Sequence, residues 1–286
     1  AEARKLGEDF LAQRVPLPED VPVLVELARL HVDFGSDDER ALSCVQRARV
    51  VLGRAALPPE LIHAEAQIHF RAGRHQQAID AARPLAEASP PGDVHALDRW
   101  LQVRVVWAQA LHELGERERA LAALEKLPEK LGQGRASRAL LDGALGRLLW
   151  HAGRLRDAVE AMERAAHEDA GLGALDRARL LNNSGGARHM LGDRPGALAT
   201  WEQALILFER LDVPLEQVRV QCNLCVAYRE AARWERAIEA GLWAVGRARE
   251  LDEPRYESMT AGNLGDVYLA QGSWREAQRW FRRAES

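Results

Sequence analysis

The sequence predicts an all-α fold built as an array of stacked helical hairpins. Three observations carry this. Good helix formers (Ala, Leu, Arg and Glu) dominate, while strand-forming runs rich in Val, Ile, Thr and Tyr are nearly absent. A pattern of large, small and aromatic residues recurs in frame at intervals of mostly 37 to 42 residues. Glycines fall where the first helix must stop in six of the seven hairpins, at Gly35, Gly73, Gly115, Gly153, Gly192 and Gly272. At 286 residues the chain exceeds an ordinary single-core domain, which suits an elongated array of such hairpins.

Bulk composition excludes several classes. Hydrophobic residues make up 47% of the chain and charged residues 29%, too apolar for a disordered segment. The formal charge of -4, from 39 basic and 43 acidic residues, argues against nucleic acid as the main partner, although a local basic patch is compatible with it. The three cysteines, Cys44, Cys222 and Cys225, are too few and odd in number for a disulfide framework, and they fit a reducing, cytoplasmic compartment. No apolar run approaches the roughly 20 residues that cross a bilayer, and no signal-peptide pattern opens the chain. The opening Ala1-Glu2-Ala3, without an initiator methionine, reads as the edge of a segment cut from a longer protein. The Ala- and Arg-rich composition suggests a bacterial source.

In chain order, residues 1–19 stand apart. Ala1 to Val15 reads as one helix, the remnant of a preceding repeat, and Pro16 and Pro18 separate it from the first hairpin. Seven units then span 20–286. Unit 20–57 carries Leu27, Ala28, Gly35, Ala41, Val45 and Ala48, with one extra residue in its turn. Unit 58–99 carries Ala66, Gly73, Ala78, Ala82 and Leu85, and unit 100–137 carries Trp107, Ala108, Leu111, Gly115, Ala120 and Leu124. Unit 138–176 has Leu145, Gly146, Leu149, Gly153, Ala158, Met162 and Ala165. Unit 177–216 has Ser184, Gly185, Gly192, Ala197, Trp201 and Ala204. Here Asp193 is placed to cap a helix and Pro195 to occupy its first turn. Unit 217–256 has Leu224, Cys225, Tyr228, Trp234, Ala237 and Ala244. Unit 257–286 has Leu264, Gly265, Tyr268, Gly272, Trp274, Ala277, Phe281 and Ala284.

These units resemble the tetratricopeptide repeat (TPR): a large residue, a small one, an aromatic, a turn glycine, then Ala, a bulky residue and Ala at helical spacing. The resemblance implies a right-handed α-solenoid whose first helices line a concave groove. It covers all seven units and is clearest in the last four. The period departs from the usual unit of about 34 residues. It is similar to that of the TPR arrays of kinesin light chains, spindle-orientation adaptors and many bacterial regulatory proteins. Longer helices or longer inter-repeat turns must absorb the extra residues, with Ser89-Pro90-Pro91-Gly92 and Glu168 to Gly173 as expected places. No capping helix follows the last unit, so Val267, Tyr268 and Trp280 are expected to be partly exposed. Trp234 and Trp274 share one slot after the turn and are expected to pack in the core.

In this frame a first-helix position just before the large residue holds Asn183, Asn223 and Asn263, spaced 40 and 40. A carboxamide both donates and accepts, so it can pair with the backbone of an extended peptide whatever its side chains. Asn is mildly unfavourable inside a helix, so three in register need a reason. The resemblance implies an asparagine ladder that clamps a peptide; the alternative is that these side chains bridge adjacent helices. Earlier units place Ala144, Val106, Ala64 and Glu26 there, which biases the site to the C-terminal half. One turn earlier lie Arg179, Arg219 and Met259, and Arg147, His189 and Arg229 also face the groove in this frame. Together they predict a basic patch suited to the carboxylates of an acidic peptide.

No chemistry rises beside this. Cys222-Asn223-Leu224-Cys225 is a lone C-x-x-C without the second pair a zinc site needs. Gly132-Gln133-Gly134 and Gly171-Leu172-Gly173 follow no strand, so neither reads as a nucleotide loop. No nucleophile, base and orienting group share a usable spacing. The expectation is therefore a non-enzymatic module, without cofactor, that binds a protein or peptide. The alternative is a sensor domain that controls an effector attached in the same bacterial signalling protein.

Overall fold

Two helices of 17 residues and two turns of three residues make one repeat in the C-terminal part of the chain, and this accounts for the 40-residue period. The extra length lies in the helices there. Near the N-terminus the helices are shorter and the segment between Ala86 and Val94 takes up the difference.

The computed structural model describes residues 17–33, 38–125, 127, 135–167 and 170–285. Among these residues it contains fourteen α-helices and no strand. They are α1 (Val21–Asp33), α2 (Asp38–Leu52), α3 (Pro59–Arg71), α4 (His75–Ala86), α5 (Val94–Glu113), α6 (Arg117–Glu125) and α7 (Arg135–His151). They continue with α8 (Leu155–Ala166), α9 (Ala174–Met190), α10 (Arg194–Arg210), α11 (Pro214–Glu230), α12 (Trp234–Glu250), α13 (Pro254–Ala270) and α14 (Trp274–Ala284). The helix expected over residues 1–15, the turn glycine Gly35, the Gly132-Gln133-Gly134 piece and Glu168-Asp169 lie outside the described residues. No helix among the described residues is long and apolar enough to cross a membrane.

The residues gather into two compact units, Ala1–Ala144 and Leu145–Ser286, and α7 contributes to both. In the first unit α1 packs on α2 and α3, and α3 and α4 pack on α5. Leu24, Leu27, Ala28, Val45, Leu61 and Ile68 form its core. Arg104 lies across the rings of Trp100 and Trp107 and donates to the carbonyls of Ala86 and Ala123, so it satisfies backbone acceptors toward the ends of α4 and α6. In the second unit each helix from α8 to α14 packs on the next, and α11 also packs on α13. Trp201, Phe208, Leu224, Tyr228 and Val267 anchor its core.

The alanines expected at the facing position, Ala41, Ala78, Ala120, Ala158, Ala197, Ala237 and Ala277, are all buried. Opposite them the helices meet through matched volumes. A Cβ added at Gly146 would lie 2.6 Å from Met162 Cγ, at Gly185 2.6 Å from Trp201 Cδ1, and at Gly265 2.5 Å from Phe281 Cε1. In the α11–α12 pair the roles exchange. Cys225 stands on the first helix, the glycine is Gly241 on the second, and Leu264 of the next hairpin fills the space within 2.6 Å of where its Cβ would be.

Two expectations are corrected. Val267 is fully buried, because it faces the core shared by α10, α11 and α12 and not the open side of the last hairpin. Trp274 is 70% exposed, whereas Trp234 packs partly against the core. Helix α12 is enclosed by α11 and α13, while α14 makes its principal packing with α13 alone, so the same slot has no wall in the last hairpin.

Asp193 caps α10 by accepting from the Gly196 amide at 3.0 Å, and Pro195 sits in the first turn, as expected. The hairpin turns adopt left-handed backbone at Gly192 and Gly272, with φ of 82° and 78°. At the equivalent turn between α11 and α12 the residue is Ala232, at φ 54°. Its Cβ is strained there by about 1 kcal/mol. Ala232→Gly should therefore raise stability by roughly 0.5–1 kcal/mol in urea denaturation. Gly265→Ala should lower it by about 1–3 kcal/mol, because the Phe281 ring has to move. Equal and small effects at both positions would contradict the two arguments.

Candidate functional site

The first helices of the second unit carry the residues that the spacing singles out. A long side chain on a helix leans toward the preceding turn, so residues three and four apart share a face. On α9, Arg179 and Asn183 are four apart; on α11, Arg219 and Asn223 are; on α13, Met259 and Asn263 are. Arg179, Arg219 and Met259 are exposed at this face, and Asn183, Asn223 and Asn263 are half-buried.

Ion pairs stitch these helices together. Arg179 Nε donates to Glu216 Oε1 at 2.9 Å, from α9 to α11. Arg219 Nε donates to the Tyr256 hydroxyl at 2.7 Å, from α11 to α13, and its guanidinium lies over the Tyr256 ring. Glu216, only 7% exposed, also pairs with Arg219 at 3.4 Å. The two cross-repeat contacts span the same 37 residues, so one pair of positions repeats, with a carboxylate accepting in the first and a phenol in the second. At the other end of the helices, Arg229 pairs with Asp266 at 3.3 Å. His189 Nε2 lies 3.1 Å from both oxygens of Glu230, which also accepts from Arg194 at 3.1 Å. Burial would push the Glu230 carboxyl up; the bonds from His189 and Arg194 outweigh it and hold it below the usual carboxylate range.

The side chains of the expected basic patch are divided, Arg179 and Arg219 toward one end of the first helices and Arg229 and His189 toward the other. Arg179, Arg219, Arg229 and His189 each meet a carboxylate of a following helix or of their own. Arg147 is different. It is half-buried on α7 and makes no hydrogen bond or ion pair with a described residue. Burial pushes its guanidinium pKa down, attraction from Asp176 offsets part of this, and Arg179 adds repulsion.

The asparagines are only partly linked. Asn223 Nδ2 donates to the Oδ1 of Asn182 at 3.1 Å, across from α11 to α9. Asn183 and Asn263 make no side-chain hydrogen bond with a described residue. In earlier hairpins the same position is core, with Ala144, Val106 and Ala64 at 2 to 3% exposure, while Glu26 pairs with Arg29 on the surface. Sequence reasoning missed Asn182, Glu216, Tyr256 and Asp266. A shared 37-residue interval for Arg179/Glu216 and Arg219/Tyr256 was the available signal. It also missed an apolar patch beside Arg147, where Trp150 stands within van der Waals reach of Gly186 and 3.1 Å from the sulfur of Met190, itself 62% exposed.

Cys222 and Cys225 are buried at the seam between α11, α12 and α13, and Cys222 is hydrogen-bonded to Thr260. Burial pushes their thiols up to about 11 and about 12. No group of His, Cys, Asp and Glu that could hold a metal ion occurs among the described residues. With their pKa values raised, both thiols should stay protonated at about pH 8 and resist a disulfide reagent in the native protein, and react once denaturant exposes them. Rapid native labelling of both would contradict this placement.

No protein-family model matches the sequence, and no curated protein matches it. Solved structures do match its fold. RapI in its apo form aligns with a TM-score of 0.72 at 12% identity, over 93% of this chain and 75% of that one. A signal transduction ATPase with numerous domains, carrying a tetratricopeptide repeat sensor, from Pyrococcus horikoshii aligns with a TM-score of 0.71 at 16% identity. That match covers all of this chain and 47% of the other. BtubC (BKLC) from P. vanneervenii aligns with a TM-score of 0.57 at 23% identity, over 78% of this chain and 89% of that one.

Proposed function

The chain has the tetratricopeptide-repeat fold, and on that premise we propose that it is a protein-interaction module that holds an extended peptide segment along the first helices of residues 145–286. The observation that carries the reading is the set of three half-buried asparagines in register, of which Asn183 and Asn263 keep their amide donors and acceptors unspent among the described residues. These carboxamides are not among the fully buried side-chain atoms, so they are open to a ligand, and a peptide backbone supplies both a donor and an acceptor per residue. The Arg179–Glu216–Arg219–Tyr256 ladder supports it by holding the three helices at fixed spacing, so that little is spent on ordering when a ligand binds. The free, buried cysteines accord with a reducing compartment, and we place the module in the cytoplasm.

A second reading is favoured by one comparison. The protein from Pyrococcus horikoshii is described as carrying a tetratricopeptide repeat sensor, and this chain aligns over its whole length to under half of it. In that reading the same face holds a segment of an attached effector domain.

Selection from a displayed library of random dodecapeptides tests the main reading. Wild-type protein should enrich binders, and the triple change Asn183, Asn223 and Asn263→Ala should weaken them by at least tenfold, with circular dichroism unchanged. Binders indifferent to the triple change would remove recognition from this face.

A further inference from the structure

We propose that Arg147 is the specificity-determining residue of this face, recognising one carboxylate side chain of the bound segment. The inference rests on the peptide-binding reading of the asparagine face. Of the five basic side chains that the repeat frame places there, Arg179, Arg219, Arg229 and His189 already meet a carboxylate within the protein. Arg147 meets none within ion-pairing distance among the described residues.

The Arg147 guanidinium presents five donors in a planar fork, and its nitrogens are not among the fully buried ones, so the fork is open to an acceptor from outside. The opposite charge that acts on it is Asp176, which is exposed, while Arg179 repels from the same helix as Asp176. The surroundings therefore leave a positive site that a carboxylate from outside would complete in a bidentate pair. Its place suits this. Arg147 lies one turn before Trp150, whose ring reaches Gly186 of α9, the helix that carries Asn183, so acid and backbone clamp would engage one continuous segment. One turn further along α7, Trp150 and the exposed Met190 offer an apolar wall to the neighbouring ligand residue.

The dodecapeptide selection is repeated with Arg147→Met and Arg147→Lys. Wild-type binders should fix Asp or Glu at one position, and replacing that acid by Asn or Gln should weaken binding about tenfold or more. Arg147→Met should still yield binders through the asparagines, without the fixed acid. Arg147→Lys should keep the acid with reduced discrimination. Thermal unfolding separates this from a structural role: Arg147→Met should leave the melting temperature unchanged or raise it, since it removes an uncompensated charge. An acid preference that persists in Arg147→Met, or wild-type binders with no acid preference, would overturn the inference while leaving the peptide groove intact. A selection that yields no binders would overturn both.

Discussion

The close approach of the two helices in each hairpin is the constraint on which the rest depends. Where Gly146, Gly185 and Gly265 face Met162, Trp201 and Phe281, there is no room for even one more carbon. The first helix is thereby seated against the large side chain of the second, which fixes the face that the first helix leaves uncovered. The exchange of roles at Cys225 and Gly241 shows what is held constant along the array. It is the close approach across the interface, not which of the two helices supplies the glycine. Leu264 completes that interface from the next hairpin, so adjacent repeats share one core and stabilise each other.

Once the helices are seated, the polar groups of the first helices are brought to spacings that no single hairpin defines. Arg179 reaches Glu216 and Arg219 reaches Tyr256 because α9, α11 and α13 stand side by side with the same register. These bonds use up charge that a linear reading counts as free. What is left over among the described residues is small: two asparagines with unspent amides and one arginine of the patch without a carboxylate. Recognition on such a face would come from a few positioned groups on rigid helices and not from a broad electrostatic field.

Much of the fold was legible because its determinants are local or periodic. The alanines from Ala41 to Ala277, the turn glycines and the Asp193 cap with Pro195 each mark a backbone requirement that only certain residues meet. The turn at Ala232 was not legible, since its left-handed residue is not glycine, although the Ala232 and Arg233 amides make the same capping bonds, to the Arg229 and Tyr228 carbonyls, as the glycine turns do. Trp274 and Val267 were misplaced for a related reason. Their exposure depends on which helices surround α13 and α14, and one repeat looks like another in sequence whatever its neighbours.

The candidate site divides in the same way. By itself the sequence determined the helical repeat, its 40-residue period and the register that aligns Asn183, Asn223 and Asn263, because side-chain periodicity and turn chemistry act within a few residues of chain. Only the tertiary structure decided which of the aligned side chains are spent. Asn223 bonds to Asn182 and not to Asn183, Glu216 is shared by two arginines, and Arg147 makes no hydrogen bond or ion pair with a described residue. Those outcomes depend on distances between residues about 40 apart in the chain, which packing sets and composition does not.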